Sequence, residues 1–325
     1  IEALYQDRFG WIWAGAFENG LIGFHPKTRT VKHFKNDLEQ PNSFPGLTPR
    51  CFFEDSRGRL WISVSGEGLS IFQRETETFR YIKPFTDEAV LKKHANFHLI
   101  LHDPIHDERD SNIVWLAAGR GICKLNTDSL TARYFNLYKN LNPESEPVIP
   151  FIRNMIRDNE GYLWGTSWGY GLFRFDPQTD THEIFDCAPE NISENCMNAR
   201  GIIQVSDNHL ILDSPSAGWI IFDKKTGEFT KWADIPNASK IPYGSGATFY
   251  KDNRDNIWFV PYYECPGLTC IQPQQQLFRK TFLNDNIQKV LAHPAQPLLF
   301  AISAEGTLYV LNEAAGKMNQ FRAAN

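Results

Sequence analysis

The stretch Asp158-Asn159-Glu160-Gly161-Tyr162-Leu163-Trp164, followed by Gly171-Leu172, is written seven times along the chain in more or less worn form. Clear copies are Asp7…Gly10…Trp13…Gly20-Leu21, Asp55…Gly58…Trp61…Gly68-Leu69 and Asp252…Asp255…Trp258…Gly267-Leu268, the last with Asp255 in the place of the turn glycine. The copy Trp115…Gly121-Ile122 carries extra residues, 108–111, in its turn. Two copies have lost the tryptophan: Ile211…Gly218-Trp219 and Phe300…Gly306-Thr307. With the tryptophan position as reference, the copies stand at 13, 61, 115, 164, 211, 258 and 300, at intervals of 48, 54, 49, 47, 47 and 42. Self-similarity at this period, with room for four short strands per unit, is the signature of a β-propeller. The expectation is an all-β, seven-bladed propeller with four antiparallel strands per blade, read as one domain over residues 1–325. The blades fall at about 1–34, 50–82, 97–135, 151–185, 200–232, 247–282 and 286–321.

The physics of one unit is legible. An inner strand ends at Asp158, whose short acceptor side chain bonds backbone N–H groups just ahead. Gly161 supplies the positive φ that the turn needs, and Asp255 is a tolerable substitute. Trp164 lies in the second strand and fills the space between blades. A third strand opens at Gly171, and a polar turn, residues 177–180, leads to an outer strand at 181–185. In propellers these short turns fall on one rim. The opposite rim carries the second-to-third-strand loops and the long between-blade loops, here 35–49, 83–96, 136–150, 186–199 and 233–246. Long polar loops on a rigid scaffold are where binding lives.

A net charge of -5 and the lack of any Lys/Arg block exclude a nucleic-acid footprint. No apolar run approaches the roughly 18 residues of a membrane span. The chain opens at Ile1 in mid-strand, so a longer or processed protein is expected. Cys51 and Cys123 read as small core residues. The close pairs Cys187/Cys196 and Cys265/Cys270 are left open, since a bridge depends on Cα separation; a bridge would imply an oxidising compartment.

The pattern hydrophobic-x-Asp-x-x-Gly-x-Leu/Ile-Trp, then Gly-Leu, carried by Tyr5 to Trp13, Phe53 to Trp61, Ile156 to Trp164 and Tyr250 to Trp258, resembles the two-component regulator propeller repeat. That resemblance implies the extracytoplasmic, periplasmic ligand sensor of a membrane-bound histidine kinase. Such sensors are commonly parts of hybrid kinases from Bacteroidetes that detect oligosaccharides. It also implies a neighbouring propeller or β-sandwich domain in the same protein, a membrane anchor outside this stretch, and no catalysis by the stretch itself. A second copy of the chain is a further candidate partner. Sialidase-type propellers have a similar turn box one residue shorter, which counts against a glycosidase.

No Ser-His-Asp, HExxH or Walker pattern occurs. His98, His102 and His106 have a helical spacing, but the first of them falls on an expected inner strand (97–101). Four strand residues span roughly 13 Å, too far for rings to converge on a metal. No metal or cofactor is expected. Eleven residues before the reference position stand Glu2, Arg50, Arg153, Arg200, Ala247 and Lys289, with His98 in the third unit when aligned through Asp103. The basic cluster Arg50, His98, Arg153 and Arg200 would gather where inner strands enter from the loop-bearing rim, and guanidinium forks suit carboxylate or sulfate; hydration or pairing with acids such as Glu54 is the plainer account. The second-to-third-strand loops add Phe17, Glu18, Trp168, Tyr170, Tyr262 and Tyr263. Sugar C–H faces stack on aromatic rings while hydroxyls seek carboxylates and amides; a protein interface would use the same aromatics. The expected ligand is therefore an oligosaccharide, an acidic one if the arginines bind it. The alternatives are a propeller lyase of the polysaccharide or streptogramin type, for which His98 with Glu2 is the candidate pair, and a purely structural docking propeller.

Overall fold

The computed structural model describes residues 3–37, 39–40, 43–46, 48–65, 68–82, 101–138, 151–185, 199–215, 217–234, 248–252, 255–260, 268–272, 277–281, 287–292, 298–303, 307–312 and 317–321. Its strands, β1 (Ala3–Gln6) to β28 (Lys317–Phe321), form seven four-stranded sheets. Each sheet runs through its strands in chain order, every neighbour antiparallel. Sheets I to VII span residues 3–34, 49–82, 101–136, 151–185, 201–231, 248–281 and 287–321. This is the content of a seven-bladed β-propeller, the fold class that the repeat predicts. A 3-10 turn, Trp232–Asp234, follows sheet V. The chain divides into two compact units, residues 1–139 with sheets I to III and 140–325 with sheets IV to VII.

Within each unit, successive sheets lie side by side with first strands adjacent, and the tryptophans fill the seams. Trp13 of sheet I meets Phe72 of sheet II edge-on at 5.1 Å, in a cluster with Leu60, Ile62 and Phe79. Trp164 of sheet IV meets Phe222 of sheet V at 5.5 Å. Sheet V, which lacks the second-strand indole, supplies Trp219 from its third strand instead. That ring packs on Phe249 and Phe259 of sheet VI at 5.4 and 5.0 Å.

The turn aspartate does more than start its turn. Asp158 Oδ1 accepts the N–H groups of Glu160 and Tyr162 at 3.0 and 2.9 Å, and Oδ2 accepts the indole N–H of Trp164 at 2.7 Å. Asp7, Asp55, Asp107 and Asp252 hold Trp13, Trp61, Trp115 and Trp258 in the same way. A cation from the next sheet then reaches two of these carboxylates. Arg74, just past the third strand of sheet II, bonds Asp7 at 2.8 Å, and Lys224, at the same place in sheet V, bonds Asp158 at 2.9 Å. Asp158 is wholly buried and Lys224 nearly so. One carboxylate thus ties turn, indole and neighbouring sheet together, and hydrogen bonds to a charged acceptor contribute about 1.5–3 kcal/mol each. Gly161 takes φ 92° and Asp255, in the glycine's place, φ 61°, as the repeat predicts.

The third unit corrects one expectation. Its described inner strand is β9 (Leu101–His106), residues 97–100 lying outside the described residues, and its box carboxylate is Asp107, eight residues before Trp115 rather than six. The extra turn residues are accommodated by Asp107 Oδ1 accepting from the N–H groups of Arg109 and Asp110. Counting from Asp107 instead of Asp103 places His102, not His98, at the position that Arg50 and Arg153 hold. The insertion lies inside the turn, where Asp103, Asp107 and Asp110 all stand near the place of the box carboxylate.

Cys51, Cys123 and Cys270 are buried, and burial pushes the Cys51 and Cys123 thiols up. Cys187, Cys196 and Cys265 lie outside the described residues.

Candidate functional site

Strand-entry positions of sheets II and IV share a local irregularity. In β5 (Pro49–Glu54) the register against β6 (Leu60–Val64) slips between Pro49 and Cys51. In β13 (Phe151–Arg157) it slips against β14 (Leu163–Trp168) between Ile152 and Asn154. Each slip leaves one residue outside the ladder, Arg50 in the first and Arg153 in the second. A β-bulge re-aims the extra side chain and bends the strand. Arg200 stands just before β17 (Gly201–Gln204), its backbone N–H donating to the Asp213 carbonyl at 2.8 Å.

In sheet IV the bulge builds a compact cluster. Phe151 and Trp168 are cross-strand partners, and the exposed Arg153 lies over both, its guanidinium carbon 4.4 Å from the Trp168 ring centre and 5.4 Å from that of Phe151. A cation on an aromatic face at an exposed site gains about 0.5–1 kcal/mol. Tyr170 sits in the tight turn that follows, between Gly169 and Gly171, both at positive φ. The chemistry available is a flat apolar face joined to a fixed positive charge.

In the other unit, Phe17 projects into solvent at 57% exposure. Glu18, at φ 52°, donates its backbone N–H to Thr48 Oγ1 at 3.1 Å, two residues before Arg50. The Phe17–Glu18 turn is thereby pinned beside the entry of β5. Glu54, one acid weighed as an arginine partner, is held at the other end of that strand by Arg8 and Arg74 at 3.4 and 3.2 Å. The structure therefore groups Arg153 with Trp168, and docks the Phe17–Glu18 turn beside the loop that leads to Arg50. His98, Tyr262 and Tyr263 lie outside the described residues, as does Glu2.

One feature escapes a sequence reading, and another is legible there without being singled out. Phe151, the second ring under Arg153, is one of many aromatic strand residues, and only the bulge at Arg153 singles it out. The buried polar residues two past the reference position in three sheets, Ser63, Thr166 and Asp213, are readable as polar interruptions of the second strands. Among the described residues no group of three His, Cys, Asp or Glu side chains could hold a metal ion, and no helix is long and apolar enough to cross a membrane.

No protein-family model matches the chain, and no curated protein matches it. Solved structures do, as β-propellers. The β-propeller domain of Cps50 (Swd1) from Myceliophteria thermophila superposes with a TM-score of 0.59 at 10% identity, over 99% of this chain and 96% of that one. The extracellular domain of BT4673, a proposed hybrid two-component system of B. thetaiotaomicron, superposes with a TM-score of 0.52 at 17% identity over all of this chain and 43% of that one. That of BT3049, a proposed system of the same kind from the same organism, gives 0.55 at 14% identity over 99% and 46%. At these identities the likeness shows the fold. The chain spans less than half the length of these extracellular domains.

Proposed function

We propose that the chain is the ligand-sensing module of an extracytoplasmic, periplasmic signalling protein of the two-component regulator propeller type, and that it binds an acidic oligosaccharide at the Arg153 cluster. The observation that carries this reading is the Arg153 guanidinium laid over Trp168 and Phe151. A saccharide ring stacks on the aromatic surface while its carboxylate or sulfate meets the fork. The likeness to extracellular domains of proposed two-component systems supports the sensor role, as does the repeat pattern itself. In this reading each four-stranded sheet is one propeller blade, supported by one such sheet per sequence period. Arg200, at the entry of the next sheet, extends this anion-binding surface, Arg50 offers a group of the same kind in the other unit, and the signal passes to a neighbouring propeller or β-sandwich, or to a second copy of the chain. A ligand drives such a change only through different affinities for two arrangements.

The test is calorimetric titration with a panel of uronate-bearing and sulfated oligosaccharides. Arg153→Ala is expected to weaken binding at least tenfold with an unchanged circular dichroism spectrum, and Arg153→Lys to recover only part, because the planar fork is lost. Binding that is unaltered by Arg153→Ala overturns the site. Turnover of the glycans by the wild-type chain would instead mark a propeller lyase.

A further inference from the structure

The turn end of sheets IV to VI, away from Arg153 along the same strands, holds a cleft of about 350 Å³ lined by residues of all three sheets. Its origin is a double replacement at one seam. Where sheets I and II meet, the N–H of Arg8 donates to Glu54 Oε2 at 2.8 Å. Where IV and V meet, the N–H of Asn159 donates to Gln204 Oε1 at 3.1 Å. Glu54 and Gln204 both stand seven residues before the reference position of their sheet, and Arg8 and Asn159 five before. At the seam of sheets V and VI those two places are taken by Lys251 and Ser206. An ammonium cannot accept an N–H, and the Ser206 N–H turns back to the His209 carbonyl at 3.4 Å. The box carboxylate that receives Lys224 at the seam of IV and V is replaced in sheet V by Val205. Neither the hydrogen bond nor the cation seen at those two seams closes this one among the described residues.

The walls are mixed in a telling way. Val205 and Ile257 give apolar surface. Asp207 faces the cleft while accepting one Asn159 amide N–H at 2.8 Å, and Lys251 pairs with Asp255 at 2.9 Å, both well exposed. An anion entering here meets two carboxylates, and a cation meets an ammonium. A hydroxyl conflicts with neither, because it donates to Asp207 or Asp255 and accepts from Lys251. The volume lies at the small end of the roughly 300–1,000 Å³ of small-molecule sites. We propose that this cleft is a second ligand site, independent of the Arg153 cluster, which takes a neutral polyhydroxylated molecule no larger than a short saccharide.

Saturation-transfer difference NMR on the whole chain tests it, with glucose, galactose, mannose, myo-inositol and maltose as probes and glucuronate and glucosamine as charged counterparts. At least one neutral probe is expected to give a signal. That signal should fall at least fivefold in the double variant Asp207→Ala/Lys251→Ala, whose exposed positions leave the fold intact, and should persist in Arg153→Ala. The proposal is overturned by the absence of signal from every neutral probe, by a signal indifferent to the double variant, or by stronger binding of either charged counterpart. Loss of the signal in Arg153→Ala alone would move the neutral ligand to the other site and overturn it equally.

Discussion

Asp158 shows how much can rest on one side chain. Removing it leaves Lys224 without its buried partner, strips Trp164 of its acceptor and frees two turn N–H groups. Breaking a buried pair from one side costs about 3–5 kcal/mol, so Asp158→Ala is expected to lower unfolding free energy by about that amount in urea titrations. Lys224→Met should cost less, and the double variant less than the sum of the two, since each single change already removes their shared contact. Asp107 makes a pH prediction. Burial raises its pKa, but the Trp115 indole, the N–H groups of Arg109 and Asp110 and the Arg109 guanidinium outweigh that and hold it below the ordinary carboxylate range. A depressed folded value contributes stability above the unfolded pKa of about 3.9, lost as pH falls through the folded value. Stability should therefore decline below about pH 4, and Asp107→Asn should show a smaller difference between pH 7 and pH 3. The carboxylate's place in the turn was legible from the repeat. Its grip on the neighbouring sheet was not, because Arg74 and Lys224 lie 67 and 66 residues away and look like ordinary polar turn residues.

At the scale of the sheet, the repeat tolerates exchange of its wedge. Sheet V loses the second-strand indole at Ile211 and fills its seam from the third strand with Trp219. Trp219→Ala is expected to cost about 3–5 kcal/mol, as Trp164→Ala should, whereas Ile211→Val should cost about 0.5–1.5 kcal/mol by chemical denaturation. The sequence showed Trp219 beside Gly218 but no reason to count it as the stand-in, since only packing on Phe249 and Phe259 reveals the role. Strand order and the second-strand tryptophans were readable because a period is a local property. Bulges were not, for they arise from pairing between strands. Arg153 could be found by counting residues, but its posture over Trp168 and Phe151 could not.

For the molecule as a whole, a net charge of -5 means that an acidic ligand approaches against the average field, and local arginines must overcome it. If the proposed ligand is acidic, its affinity should fall as sodium chloride rises from 50 to 500 mM, while the neutral ligand of the turn-end cleft should be nearly indifferent, because screening acts on exposed charge pairs. Parallel titrations at the two salt concentrations separate the sites without mutation. The bulges at Arg50 and Arg153 have one more consequence. A residue outside the ladder can change its side chain while the pairing of its neighbours stays the same. With the proposed site at Arg153, a single exchange at that slipped position would retune what the chain recognises, much as a tool changes its bit and keeps its handle.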